Sequence, residues 1–600
     1  MDAPRTGAAI AGLGLTGLGR VFGNNQRRLA AQAIRRAAAD AGLSIQDLDG
    51  LLICPGITGG LDVSFAATLG LRDLAVLAVV NSFGASATVA VQTAAQAVTS
   101  GVAKAVACVF ADTPLQEGVP AGSAFGRETR TAGPGFPAER HGLGGLTAGY
   151  GFRSVNVYYA LAAKRHMERF GTTSEQLGAV AVAQRQWAAD NPLAQFREVI
   201  TLADHQKSRW VAEPLHLLDC SLVSNGAIAV IVTSAEAAAA GPKPPVHIWG
   251  WGQGHPGYQM AGDSEFGLVT GAGQAGRTAM GMARVSAADV TMGQLYDCYT
   301  YTVLVTLEDY GFCAKGEGGP FVASGALGPG GALPVNTGGG QLSSYYMWGF
   351  TPLSEAVIQA RGDGGGRQSP ATDVILVSGN GGILAHHGTL ILSPHANDPA
   401  RRGGAAARPQ PQASDPAEAE VSPAGPSDGP GQGPGDGPGA DIDLVASIGV
   451  VKADEKSGPF FAAAATGQLV IKRCARCDEW LPPSASACLS CDDDSQLEWA
   501  PVTGRGQLVS WSVVHARLGG PVAIPAQVRL DEGPWLSTTL HLPGPGTGSG
   551  SGSGPDQNPT YLTSLARLAD LRAGMPVEVE FVHPPAGESY PLFRPVGSHG

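Results

Sequence analysis

Apolar and polar positions follow two periods along the first two thirds of the chain. The run Ala8-Ala9-Ile10-Ala11 predicts a short buried strand. Leu29, Ala33, Ile34, Ala37 and Ala41 recur on one helical face, which predicts a helix over 25–41. A strand is expected at 51–54, an Ala-rich buried helix at 86–100 and a core strand at 103–110. A helix over 156–170 ends at Gly171, and Thr173 with Gln176 forms a capping box for the next one. A strand at 227–233, a helix at 352–361 and strands at 373–378 and 389–392 complete the series. This alternation predicts an α/β domain over residues 1–395.

The pattern then stops. Residues 396–440 are Pro, Gly, Ala, Ser and Asp with almost no large apolar side chain, which predicts a disordered linker. Beyond it, 441–500 predicts a helical lead-in and a metal ribbon. Strand-like runs at 506–515, 523–530, 535–540 and 577–582 predict a small β-barrel over 501–600. The Gly/Ser run at 544–554 is expected to be a loop between strands.

Composition narrows the function classes. With 600 residues, more than one core is expected. Net charge is −12, which argues against sequence-wide nucleic-acid binding. No apolar run of membrane-spanning length and no secretory signal is found, so a cytoplasmic protein is expected. Of nine cysteines, Cys474, Cys477, Cys488 and Cys491 form two C-x-x-C knuckles ten residues apart. That spacing predicts a closed four-thiolate site for a structural zinc, with metal-free pairing or an iron–sulfur cluster as the alternatives. The motif Gly12-x-Gly14-x-x-Gly17 matches a dinucleotide turn, but no acidic residue ends a second strand at the required distance. A Gly-rich surface turn is the expected reading.

Several stretches resemble the thiolase superfamily, in the branch related to the thiolase part of sterol carrier protein x. They are Val80-Asn81-Ser82-Phe83-Gly84-Ala85-Ser86, Tyr296-Asp297-Cys298-Tyr299-Thr300, Gly311-Phe312-Cys313, Asn336-Thr337-Gly338-Gly339-Gly340 and Ser378-Gly379-Asn380-Gly381-Gly382. The resemblance implies the duplicated five-layered thiolase fold and a homodimer. Pro459-Phe460-Phe461, Leu481-Pro482-Pro483 and Trp499-Ala500-Pro501-Val502 with Gly504-Arg505-Gly506 resemble a zinc ribbon plus OB-fold family, domain of unknown function 35. That family commonly pairs with thiolase-like subunits.

The departures from the thiolase pattern carry the functional reading. The nucleophilic Cys slot holds Gly84, the Asn slot Tyr296, the His slot Tyr346 and the second Cys slot Ser378. Without a thiol at 84 no acyl-enzyme forms there. Cys298 lacks an activating neighbour and is expected to be a buried, inert thiol. The resemblance to aldolases that shorten steroid side chains implies an acid/base pair of Tyr296 and Tyr346; Tyr345 and Tyr299 are the competing assignments. Gly84, Gly339, Gly340, Gly381, Gly382 and His255 are the expected substrate-binding positions, with backbone approach to the thioester at the glycines. His386-His387 as lining and Lys207 with Arg209 as contacts for coenzyme A phosphates are weaker candidates.

The expected activity is retro-aldol cleavage of a β-hydroxyacyl-CoA to a ketone or aldehyde and a short acyl-CoA. Coenzyme A enters as part of the substrate, and the family resemblance implies a hydratase as a partner. The alternatives are an acyltransferase or thiolase-like condensing enzyme, and a non-catalytic acyl-CoA or lipid-binding scaffold.

Overall fold

A computed structural model describes residues 7–119, 140–257, 265–397, 441–488, 490–491, 497–516, 520–543 and 562–596. The expected linker from 398 on and the loop at 544–554 lie outside the described residues.

Nine strands form the main sheet: β1 (Ala8–Leu15), β2 (Gly50–Pro55), β3 (Val76–Val79), β4 (Ala105–Asp112), β5 (Gly226–Ser234), β6 (Val246–Gly254), β7 (Met292–Gln294), β8 (Ile375–Gly381) and β9 (His386–Ser393). Their order is β7-β8-β9-β6-β1-β5-β4-β2-β3. The sheet is a duplication. In one half β1 is antiparallel to β5, β5 antiparallel to β4, and β4 parallel to β2. In the other, β6, β9, β8 and β7 repeat that sequence of orientations. Only Ala9↔His247 and Ile10↔Val246 pair β1 with β6, so the halves join through a short seam.

Five helices position the site: α1 (Gln26–Asp40), α2 (Ser86–Thr99), α3 (Val155–Phe170), α4 (Ala272–Ala283) and α5 (Phe350–Arg361). Helices α2 and α5 pack against strands of both halves, α1 covers the first half and α4 the second. That gives five layers. Helix α1 starts where Asn25 accepts from the Arg28 amide at 2.9 Å. It buries Leu29, Ala33, Ile34 and Ala37, the face anticipated from the pattern.

The Gly12-x-Gly14 motif is neither a dinucleotide turn nor a surface turn. Both glycines lie inside β1, and a Cβ on either would strike the backbone of α1 at Ala37 or Ala33. Gly250, Gly252 and Gly254 of β6 make the same room for α4. The glycines are the close-packing device of each half, repeated with the duplication.

The second part holds a ribbon of strands Val470–Cys474, Trp480–Leu481 and Leu497–Pro501. A five-stranded antiparallel sheet follows, running Trp535–Thr539, Pro525–Leu530, Arg505–Trp511, Pro576–Val582 and Tyr590–Pro595 in spatial order. It curls until Leu540 bridges to Phe593 beyond its first strand, a half-barrel of OB type.

The two parts share one hydrophobic core. Leu146, Tyr150, Phe152, Val157 and Leu161 of the first pack with Leu508, Trp511, Ile524, Leu592 and Phe593 of the second. Strand pairing crosses the junction at Val451↔Arg140 and Val514↔Ala212.

Candidate active site

The site is built where α2 begins. Gly84 is buried in the turn before it. A Cβ there would collide with the ring of Tyr296 and with the carbonyl of Asn380. The phenol thus occupies the space into which a residue-84 side chain would project. Three further glycines close on this turn: a Cβ on Gly349, Gly379 or Gly381 would crowd the backbone at Gly84 or its neighbours Ser82 and Ala85.

Tyr296 is 4% exposed and its hydroxyl lies 3.1 Å from that of Tyr346, which is half-buried. Tyr345 turns away. Its hydroxyl meets Ser354 at 3.1 Å, and it lines a small buried cavity with Asp297, Asn336 and Glu355. Of the two adjacent tyrosines, Tyr346 is the one paired with Tyr296.

Asp297 fixes the pair, a role that sequence reasoning missed. Its buried carboxylate accepts from the Gln341 amide at 3.0 and 2.8 Å and from the Leu342 amide at 3.3 Å. This ties the segment carrying Tyr296 to the wide helical turn Gly340–Ser344 that leads into Tyr346. Burial pushes the Asp297 carboxyl up to about 7, against the lowering effect of those amides. The Tyr346 amide donates to Ser224 Oγ at 3.0 Å, anchoring the other end.

Both phenols are held protonated. Burial raises each well above the ordinary tyrosine range, and for Tyr296 the neighbouring Tyr346 adds to the rise. The Cys298 thiol is pushed up to about 12 by burial, which leaves it inert.

The glycines expected to meet substrate also have a packing role. The missing Cβ of Gly340 leaves room for the Asp297 carboxylate, and that of Gly339 for Ala188. Both adopt positive φ, +59° and +92°. On the side where a Cβ would stand, both pack protein against protein. Gly381 packs on Ser82 and Phe83, and Gly382 on His386. His255 is exposed, with Nδ1 3.1 Å from His386 Nδ1 and Nε2 2.9 Å from Gln253 Oε1, so it sits at a rim. His386 in turn stacks on Phe83, next to Gly84. Ser378 lies on the opposite face of β8 from Gly379 and Gly381, and its Oγ is 2.9 Å from His387 Nε2. It therefore does not stand opposite Gly84. Lys207 and Arg209 are exposed.

Backbone strain concentrates around this site. Phe83, Trp348, Ile383 and Leu384 have φ of +50°, +49°, +57° and +69°, half of the eight positive-φ non-glycine residues among those described. Such conformations cost about 1–3 kcal/mol each and gather where function requires them.

In the ribbon, Cys474, Cys477, Cys488 and Cys491 place their sulfurs within 4.8 Å of one another. A set of four thiolates suits a tetrahedral metal and leaves no open coordination position.

The duplicated sheet, with a buried glycine at the start of α2 and two phenols in contact over it, defines a thiolase-like protein with no side chain at residue 84. Residues 252–394 match the thiolase C-terminal domain-like family, and residues 461–498 match ChsH2, rubredoxin-like zinc ribbon domain. A steroid side-chain-cleaving aldolase of Thermomonospora curvata is 38% identical over 386 residues, covering 62% of this chain and 95% of that one. The 17-hydroxy-3-oxo-4-pregnene-20-carboxyl-CoA lyase of Mycobacterium tuberculosis is 37% identical over 387 residues, covering 62% and 96%. The solved Ltp2-ChsH2(DUF35) aldolase matches with a TM-score of 0.57 at 35% identity, over 65% of this chain and 99% of that one. The chain belongs to the thiolase-like family, in the branch of the steroid side-chain-cleaving aldolases, and is an aldolase-type carbon–carbon lyase.

Proposed function

We propose that the chain cleaves a β-hydroxyacyl-CoA with a bulky, ring-bearing acyl group by a retro-aldol reaction, with Tyr296 and Tyr346 as its proton-transfer pair. The observation that carries this reading is the 3.1 Å contact between the two hydroxyls above Gly84. Relatives named for steroid side-chain cleavage and for a pregnene carboxyl-CoA substrate support the substrate class.

A neutral phenol is a poor base, but two in contact form a relay. One phenol oxygen accepts the proton of the substrate's β-hydroxyl while passing its own to the second. The O–H electron pair becomes the new carbonyl π bond. The Cα–Cβ pair moves to Cα, giving the thioester enolate, and the second phenol protonates Cα. Protons balance and no phenolate accumulates, as the raised titration of both groups requires. No covalent adduct forms. The acyl-transfer alternative lacks a nucleophile, since residue 84 is glycine and the Cys298 thiol is buried.

The four cysteines are assigned a structural zinc, and the chain a division at residues 396–440. A hydratase supplying the β-hydroxyl is the expected partner class. Homodimer formation is supported by the free edge of the sheet, where β3 alternates exposed Leu77 (40%) and Val79 (42%) beside exposed Phe83. Among the described residues no helix is long and apolar enough to cross a membrane. A reducing compartment fits nine cysteines none of which is in a disulfide.

The test is incubation with secondary and tertiary β-hydroxyacyl-CoAs, with products identified by mass. Ketone or aldehyde plus a shortened acyl-CoA is expected, with turnover reduced about 10²–10⁴-fold in Tyr346→Phe. Undiminished turnover in that variant would remove the tyrosine pair from the mechanism.

A further inference from the structure

The relay moves protons, but the enolate oxygen that develops during cleavage needs its own hydrogen-bond donor. The turn at Gly84 is badly placed for that task, because the Tyr296 ring already lies against it. Another donor has to serve.

Helix α3 offers one. Tyr299, three residues beyond Tyr296, donates its hydroxyl to Asn156 Oδ1 at 2.5 Å. Tyr299 also packs on Tyr159, with ring centroids 4.4 Å apart. Asn156 and Tyr159 are one turn apart and share a face of α3. Tyr159, Tyr296 and Tyr299 belong to one hydrophobic cluster, and Tyr346 packs against it. With Oδ1 taken by Tyr299, Nδ2 is the end of the amide left to meet another acceptor. Asn156 is half-buried, and among the described hydrogen bonds Nδ2 donates to no protein group. A side chain whose acceptor end is fixed and whose donor end is free has the form of a preorganised oxyanion donor.

The opposite side of α3 is clamped. Ser510 Oγ donates to Leu161 O at 2.8 Å, and Lys164 Nζ lies 4.5 Å from the ring centroid of Trp511. Val157 and Leu161 are buried in the core shared with the second part. One helix thus carries Asn156 and Tyr159 toward the tyrosines and is held from behind by the half-barrel.

We infer that Asn156 is a catalytic residue whose Nδ2 donates to the thioester oxygen as it becomes an enolate, with Tyr299 as its positioning residue. This rests on the retro-aldol reading above. The roles separate by substitution. Asn156→Asp keeps the size and the acceptor for Tyr299 but removes the donor, whereas Asn156→Ala removes both. Loss of an oxyanion donor costs about 10²–10³-fold in kcat. Both variants should show that loss with KM changed only a few fold, and Tyr299→Phe a smaller loss. A merely structural Asn156 would leave Asn156→Asp near wild type. If the wild-type chain cleaves a β-hydroxyacyl-CoA and Asn156→Asp does so at an equal kcat, the assignment is overturned while the retro-aldol reading stands. If the wild-type chain cleaves none, the retro-aldol reading itself falls.

Discussion

Tyr296 and Gly84 cannot both carry a full side chain, because the phenol ring stands where a Cβ on residue 84 would begin. Loss of the thiol and gain of the tyrosine are therefore one change in packing. Restoring a thiol should not restore a thiolase. Gly84→Cys and Gly84→Ala are expected to force the ring aside, to cost about 1–3 kcal/mol by overpacking and to lower cleavage by at least about tenfold. Thermal melts and kcat/KM on the same β-hydroxyacyl-CoA check both effects. A Gly84→Cys chain with wild-type cleavage would mean that the ring is not held there.

The phenols also set an alkaline limit. Tyr296 and Tyr346 titrate above the ordinary value of about 10, so on raising the pH the unfolded chain loses these protons first. Their contribution to stability is complete below about pH 10 and falls as the pH rises through the range above it. Activity should hold its plateau to about pH 10, because the working form is neutral. Melting temperature should drop more steeply above that pH in wild type than in a Tyr296→Phe/Tyr346→Phe chain. Parallel curves for the two chains would contradict it.

Much of this site was legible because it rests on identity at matched positions. Gly84, Tyr296, Tyr346 and the four cysteines are single-residue departures or spacings, and the capping box at Thr173 and Gln176 is purely local. What stayed hidden depends on long-range register. Gly339 and Gly340 read as openings for substrate, yet the groups that need their space, Ala188 and Asp297, lie far away in sequence. The Gly12-x-Gly14 motif read as a turn because nothing local reveals that α1 rests on it. The Asn156–Tyr299 bond spans 143 residues. The apolar side chains of 146–161 gave no sign that their partners lie beyond the linker.

The ribbon should hold about one zinc per chain, with its four thiolates closing the coordination sphere. Cys488 is fully buried and Cys474 ends the strand that leads into the shared core through Val470 and Ile471. Cys488→Ser, or treatment with a strong chelator, is expected to remove the metal and lower the melting temperature of the whole chain. Metal analysis paired with calorimetry reads both. Full zinc content in Cys488→Ser would exclude that thiol as a ligand.

The shared core makes the second part necessary to the first. Residues 1–397 alone would expose Leu146, Tyr150, Phe152, Val157 and Leu161, all now buried. Burial of one large apolar side chain is worth about 1.5–3 kcal/mol. Five together approach on the order of 10 kcal/mol, comparable with the whole stability of a domain. The hydroxyl of Tyr150 would also lose the carbonyl of Pro591, and the carbonyl of Leu161 would lose Ser510. The fragment is therefore expected to aggregate, or to fold only when the second part is supplied in trans. In the full chain, Trp511→Ala should destabilise by about 3–5 kcal/mol and lower cleavage, although Trp511 belongs to the half-barrel. Sedimentation of the fragment and kcat of the variant test the point. A soluble, monodisperse fragment that cleaves at the full-length rate would show that α3 needs no support from behind.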